Sequence, residues 1–390
     1  MSQKFPLSER MKKVDKKERF HLLLSGDFPP TLGGESRYLY SLFYFLSTPN
    51  KAVITPFVRG AGKIDDSLPF PVKRIYVGRK GALRVLSPLI YFLSIFAFKK
   101  KKLLIHCGQV MIPGMAGFLA KFFLGVPYVV YAHGAEFLEY THFPHNAIMQ
   151  MILKNADKIV ANSHYTARLV KRLGIPEEKI IKTLLGVDSK KFHPSPPDVE
   201  IRKRYGLKGR IIISTCRLIE RKGVDMVISA LPRVLQSAPD VVYVIVGSGE
   251  DRERLEIIAR EKGVRDKVIF AGNVSDETLL AIYNLSTLYV MPSREVLDKA
   301  MVEGFGISYI EASACGKPVI GGRSGGVRDA VVDGVTGILV NPVDVNEITQ
   351  AIITLLNNNR FAEKLGKQGL ERVQKELTWE KIASRLLKRL

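Results

Sequence analysis

Residues 209–231 read "GRIIISTCRLIERKGVDMVISAL". The run Ile211, Ile212, Ile213 has no polar alternation, as in a strand covered on both faces, which is the habit of parallel sheets. The chain then turns basic, meets Gly223, and continues with apolar residues at helical spacing. A buried strand, a short turn and an amphipathic helix form one unit of a parallel α/β sheet. In such sheets ligands bind beyond the C-terminal strand ends. Arg217 and Lys222 stand there, five residues apart. The pair suits a diphosphate, because a guanidinium can grip two oxygens and an ammonium adds a point charge. Taken alone, a solvated basic turn has the same sequence.

The alternation continues on both sides. "FHLLLS", "KAVITPFV", "KKLLIHC", "VPYVVYAHG" and "ADKIVANS" read as strands of a first half, with amphipathic segments between them. "GRIIISTCRL", "VVYVIVGSG", "DKVIFAGNV", "STLYVMPS" and "KPVIGG" do the same in a second. Prolines interrupt the pattern in "LLGVDSKKFHPSPPDVE". The expected fold is α/β: two Rossmann-like domains, residues 1–190 and 191–375, facing across a cleft. The length of 390 residues agrees with two cores.

"EGFGISYIEASACGKPVIG", Glu303 to Gly321, carries the second motif. Glu303 and Glu311 are eight apart, about 2.2 helical turns, so one helix face does not hold both. The spacing fits Glu303 in a loop and Glu311 on the following helix. Gly304 and Gly306 let backbone approach a ligand, and the N–H groups of Phe305, Gly306, Ile307 and Ser308 would face an anion at a helix start. Carboxylates accept hydrogen bonds from hydroxyls but repel phosphate. The two glutamates therefore imply a polyhydroxylated ligand flanking the phosphates. The plain alternative is a dipole partner for Glu303 and a surface position for Glu311.

Other stretches are weaker. In "SGDFPPTLGGESRYLYSL" the pair Gly33-Gly34 follows a strand and can line the cleft, but the spacing is not G-x-G-x-x-G, so a nicotinamide site is unsupported. His133, in "YVVYAHGAEFLEY", follows a strand directly and is placed to reach the cleft; a lone histidine is more often structural. Cys107, Cys216 and Cys315 are scattered and form no zinc or disulfide pattern, which fits a reduced, cytoplasmic setting. No cofactor, metal or nucleic-acid motif stands out.

The net charge of +21 is uneven. Residues 1–190 hold 29 basic against 13 acidic residues, a net +16. That half is expected to meet something anionic, unless the charge serves solubility alone. "PVKRIYVGRKGALRVLSPLIYFLSIFAFKKKK", residues 71–102, brackets an apolar helix with basic clusters. The helix is too short to span a bilayer. It fits either a crossover helix buried on the sheet or peripheral binding to an anionic membrane, with Lys99, Lys100, Lys101 and Lys102 at the surface.

Together these stretches resemble the family 4 retaining glycosyltransferases of the two-Rossmann (GT-B) type. "DFPPTLGG", "AHGAE", "ANSHYTARLVKRLGIPEEKI", "RLIERKG", "VGSGED", "EGFGISYIEASACGKPVI" and "GGVRDAVVDGVTGILV" carry the resemblance over nearly the whole chain. It implies transfer of a sugar from a nucleotide diphosphate with retained anomeric configuration. Residues 1–190 would bind the acceptor and 191–375 the donor, with a last helix, 376–390, crossing back. Arg217 and Lys222 would hold the diphosphate, Glu303 the donor-sugar hydroxyls, and Glu311 the ribose. His133 would lie by the reacting carbon; Gly247 and Val274 would join the donor-binding set. No D-x-D metal motif is present.

Two features depart from the common pattern: Leu185 before "GVD", and the nine residues "REVLDKAMV" between "MPS" and "EGFG". The second is similar to the phosphatidylinositol mannosyltransferase branch. It favours GDP-mannose and a lipid-linked or glycan acceptor at the inner membrane face. The alternatives are a UDP-sugar transferase with a soluble or glycan acceptor, a UDP-sugar 2-epimerase, and a non-catalytic nucleotide-sugar-binding protein.

Overall fold

The computed structural model describes residues 19–31, 33–78, 81–98 and 102–390. Lys99, Lys100 and Lys101 lie outside the described residues. The chain parts into two compact units, Met1–Tyr131 with Met151–Lys158, and Ala132–Gln150 with Ile159–Leu390.

The first unit is built on β1 (Phe20–Leu24), β2 (Lys51–Pro56), β3 (Val72–Ile75), β4 (Leu103–Cys107) and β5 (Tyr128–Ala132). They run parallel in the order β3-β2-β1-β4-β5. β4 and β5 are buried along their whole length, as their unbroken apolar runs require. The crossover helices include Gly34–Phe45, Gly81–Ile95 and Ile112–Leu124. The buried Lys51 ammonium closes the first of these, donating to the carbonyls of Phe43 (2.6 Å) and Leu46 (2.7 Å). It thereby satisfies acceptors that a helix end leaves open.

In the second unit β6 (Lys158–Ala161) pairs in parallel with β7 (Ile180–Lys182). A six-stranded parallel sheet follows: β8 (Ile211–Thr215), β9 (Val242–Val246), β10 (Val268–Gly272), β11 (Leu288–Met291), β12 (Val319–Gly322) and β13 (Gly337–Val340). Its order is β10-β9-β8-β11-β12-β13. The core joins Ile212, Tyr243 and Val290 of the sheet to Val227, Leu231 and Ile348 of the covering helices. Strand order reverses between β8 and β11, and a crevice opens at such a point. The two loops leaving these strands are the two stretches read first in the sequence.

The last helix, Trp379–Leu387, is tied to the "LLGVD" turn. The Val187 N–H donates to the Leu377 carbonyl (2.8 Å), and Thr378 bridges to Val187. Gly186 lies flat against the buried Trp379, where a Cβ would fall 2.8 Å from the indole. Among the described residues, no helix is long and apolar enough to cross a membrane.

Candidate active site

Gly223 sets the floor of the site. It has φ +70°, and a Cβ there would fall 2.2 Å from the Pro292 carbonyl. Only glycine lets the loop after β8 close so tightly on the loop after β11. Gly247 does the same on the other side of β8: with φ +123°, its Cβ would lie 2.0 Å from the Cys216 carbonyl. The Leu218 N–H donates to the Ser248 carbonyl (2.9 Å). The segment Cys216–Gly223 is thus clamped between two neighbouring strand ends.

Within that clamp the cations diverge. Lys222 is buried, with 9% of its surface exposed, and its ammonium donates to Glu303 Oε2. Arg221 Nη1 donates to the same oxygen at 2.6 Å, and the Ser293 hydroxyl lies 3.4 Å from it. Arg217 is exposed and makes no hydrogen bond or ion pair among the described residues. The sequence placed Arg217 and Lys222 together at an open strand end. The structure instead joins Lys222 to Arg221 and Glu303 in a buried triad and leaves the Arg217 guanidinium in solvent. Arg221 was missed, although it sits in the same "RLIERKG" stretch.

Glu303 is itself 7% exposed. Burial alone would raise its carboxyl, but the adjacent Arg221 and Lys222 charges override burial and hold it down to about 2. Burial draws the Lys222 ammonium below its ordinary value; Glu303 opposes that and Arg221 adds to it. The triad places the Glu303 carboxylate between the Lys222 and Arg221 cations.

As the spacing predicted, Glu303 lies in a loop and Glu311 on the helix Ile307–Ala314. Gly306 starts that helix with φ +92°, and a Cβ there would meet the Tyr309 ring at 2.5 Å. Phe305 and Ser308 are buried, and Ser308 accepts from or donates to the Tyr289 hydroxyl at 2.7 Å. Glu311 is 3% exposed and accepts from the Tyr283 hydroxyl (3.1 Å), which also meets Thr215 Oγ1 (2.6 Å). Tyr283 and Thr215 were not singled out in the sequence.

The backbone of His133 abuts the same loop. Gly304 rests on it so closely that a Cβ would fall 2.3 Å from the His133 carbonyl oxygen. Glu136 shapes the turn by accepting from the His133 and Gly134 N–H groups, both at 2.7 Å. Asn162 Nδ2 donates to the His133 carbonyl (3.1 Å). From the other side, the Gly326 N–H donates to the Glu303 carbonyl (2.8 Å). Val274, just beyond β10, is half-buried. Gly33 and Gly34 open the helix Gly34–Phe45 in the first unit, whereas the other donor-binding candidates belong to the second.

The extra residues Arg294 to Val302 fold back on the cationic loop. Arg294 makes a two-pronged pair with Asp225 (3.0 and 2.8 Å), and its N–H donates to the Arg221 carbonyl (2.8 Å). Lys299 pairs with Glu220 at 2.5 Å. Val296 and Met301 close the tip as an antiparallel bridge. The insertion thus holds the Arg221 backbone and the Glu220 side chain.

The first unit carries a cavity of about 420 Å³ at the C-terminal ends of β1 and β2. Asp27, Phe28, Thr55, Arg84, Ser87 and Tyr91 line it. Arg84 is exposed and has no ion-pair partner among the described residues. The Thr55 hydroxyl is buried and has no hydrogen-bond partner among them either.

Comparison with known proteins places the chain in a family. The model of the "Glycosyl transferases group 1" family matches residues 199–372, and that of "Glycosyltransferase Family 4" matches residues 33–191. The chain is 32% identical over 377 residues to the GDP-mannose-dependent alpha-(1-6)-phosphatidylinositol monomannoside mannosyltransferase of Mycolicibacterium smegmatis, covering 94% of this chain and 96% of that one. It is 30% identical to the Mycobacterium tuberculosis protein of the same description, with the same coverage. Among solved structures, Anabaena HepE in complex with UDP and glucose superposes with a TM-score of 0.81 at 21% identity, over 95% of this chain and 99% of that one. WaaG, a glycosyltransferase involved in lipopolysaccharide biosynthesis, gives 0.70 at 15% identity, over 94% and 98%.

Proposed function

The chain belongs to the family 4 glycosyltransferases, and on that premise we propose that it moves mannose from GDP-mannose to a lipid-linked polyol at the inner membrane face, with retained configuration. The observation that carries the reading is the buried Glu303 held between Arg221 and Lys222 beside the helix start at Gly306. A diphosphate needs the cations, and a sugar needs the carboxylate. Support for mannose and for a lipid acceptor comes from the relatives at 30–32% identity and from the insertion at Arg294 to Val302.

In this reading Arg217 and Lys222 bind the diphosphate and stabilise the charge that grows on it as the glycosidic bond breaks. Glu303 holds donor-sugar hydroxyls, and Glu311 the ribose. His133 contacts the sugar beside the reacting carbon. The acceptor oxygen bonds to the anomeric carbon on the face that the diphosphate leaves, and its proton passes to the departing phosphate oxygen. No enzymic nucleophile is required. The cavity lined by Asp27, Thr55 and Arg84 offers hydroxyl and phosphate partners for the acceptor head group.

The test is a thermal-shift screen of GDP-, UDP- and ADP-sugars, followed by a transfer assay onto phosphatidylinositol-type acceptors. GDP-mannose should give the largest shift and a mannosylated lipid. A preference for a UDP-sugar would move the assignment to the UDP-sugar transferase reading. Tight binding with no transfer and no hydrolysis would leave a binding protein.

A further inference from the structure

Helix Gly81–Ile95 does not bury its apolar residues all round. Tyr91, Phe92 and Ile95 turn inward, while Val85, Leu86, Leu89, Leu93 and Phe96 are exposed. At about 100° per residue, the first four fall within an arc of about 100°, and Phe96 follows directly after the helix end. A helix buried on a sheet accounts for the inner arc and leaves the outer one unexplained. The neighbouring helix, Ile112–Leu124, ends in the same way: Phe122 is 72% exposed, Phe123 is 65% exposed, and Leu124 is exposed beside them. Phe123 packs on Phe92 with ring centroids 6.1 Å apart, and Phe122 on Phe123 at 5.0 Å. The two helices therefore present one contiguous apolar face. Soluble proteins seldom leave so many large apolar side chains together in water.

Along the sequence that carries that face the charge has one sign, although Arg74 is paired with Asp65 and Lys121 with Asp157. From Ser67 to Ala135 the chain holds ten lysines and arginines and no aspartate or glutamate. Self-association through the face would bring two such basic stretches together. An anionic surface would match them.

We propose that the exposed face of helix Gly81–Ile95, together with Phe122, Phe123 and Leu124, inserts into the interfacial layer of an anionic bilayer. The basic residues around it supply long-range attraction, and the two phenylalanines supply retention that salt does not screen. The lysine run at 99–102 is then an accessory, and the second helix, which the sequence did not single out, is the anchor. This deepens the lipid-acceptor reading, on which its biological sense rests. Its test needs neither donor nor acceptor, so the two can fail separately.

The experiment is flotation of the full-length protein with vesicles of two parts phosphatidylcholine to one part phosphatidylglycerol, against pure phosphatidylcholine. The wild type should float with the anionic vesicles and stay partly bound at high salt. F122S/F123S should lower partitioning by at least about tenfold, from two lost aromatic insertions. Far-UV circular dichroism and the ligand-free thermal midpoint should be unchanged in that variant and report that it folds. As a second readout, F123W emission should shift to the blue with anionic vesicles. Equal flotation of wild type and F122S/F123S, or no flotation of the wild type at low salt, overturns the proposal. A lipid-free dimer that F122S/F123S dissociates would also overturn it, assigning the face to a second copy of the chain.

Discussion

Lys222→Ala separates a buried triad from an open strand end. The Glu303 carboxylate is buried and shared by Lys222 and Arg221, the latter at 2.6 Å. Removing one partner of a buried ion pair costs ~3–5 kcal/mol, because the other is left uncompensated. Here Arg221 remains, so roughly half of that, about 2 kcal/mol, is expected for Lys222→Ala. Arg217 is exposed and unpaired among the described residues, so Arg217→Ala should stay within about 0.5 kcal/mol of wild type. Both substitutions should lower transfer by on the order of a hundredfold, the usual loss of one transition-state charge stabiliser. Urea unfolding reads the stability through Trp379, the single tryptophan, which is buried in the second unit. A cycle through Glu303→Gln should return a coupling of about 1–2 kcal/mol between positions 222 and 303. If Lys222→Ala proves as stable as Arg217→Ala, or if the coupling is zero, the triad does not hold the loop together.

Three further outcomes follow from the same geometry. Glu311→Ala should weaken binding of free nucleotide diphosphate in calorimetry, whereas Glu303→Gln should leave it intact or tighter while transfer falls; equal binding losses would contradict the division of roles. Gly304→Ala should disrupt the contact with the His133 carbonyl, where a Cβ would fall at 2.3 Å, and cost at least about 2 kcal/mol, since the clash is with backbone; wild-type stability would mean that this loop is free to move. Acid should also act through Glu303. Its carboxyl sits near 2 in the folded chain against an ordinary 4.5, so its contribution is complete above about 4.5 and is lost as pH falls toward 2; Glu303→Gln should reduce the slope of stability across that window, leaving the part that Asp240, also held low, contributes there.

The strands that the sequence revealed and those it hid differ in their surroundings. Ten strand readings correspond to β1, β2, β4, β5, β6 and β8 to β12. The three that were missed, β3, β7 and β13, each pair with one neighbour only, as does β10, which was legible through its apolar run Val268, Ile269, Phe270. An edge strand is covered on fewer sides, so it needs fewer apolar residues. "VKRI" and "IIK" carry lysine or arginine, and "GILV" is short. The helix start at Gly306 was legible because glycine there answers to a backbone constraint that is local in sequence. The partnership of Arg221 with Glu303 was not. The two residues are 82 positions apart, and nothing in "RLIERKG" says which of three cations turns inward. That depends on how Gly223 docks on Pro292, a contact between loops. The apolar helix at residues 81–95 was ambiguous for a related reason: composition gives the total greasy surface of a helix, and only packing tells which arc is covered.

The triad also bears on how the donor would be recognised under the proposed reading. Glu303 is paired with both Lys222 and Arg221. A diphosphate reaching the same cations is a second anion for the same positions. If it drew Lys222 away, Glu303 would be left buried with fewer donors, which costs several kcal/mol unless something replaces them. Sugar hydroxyls can replace them, because each offers an O–H to a carboxylate oxygen. A nucleotide diphosphate without its sugar cannot. Under that reading the wild-type triad would penalise the spent nucleotide relative to the intact donor, and the penalty would disappear with a neutral amide at residue 303. Glu303 would then do two things from one position: select a ligand that carries its sugar, and help the enzyme release the nucleotide once the sugar is gone.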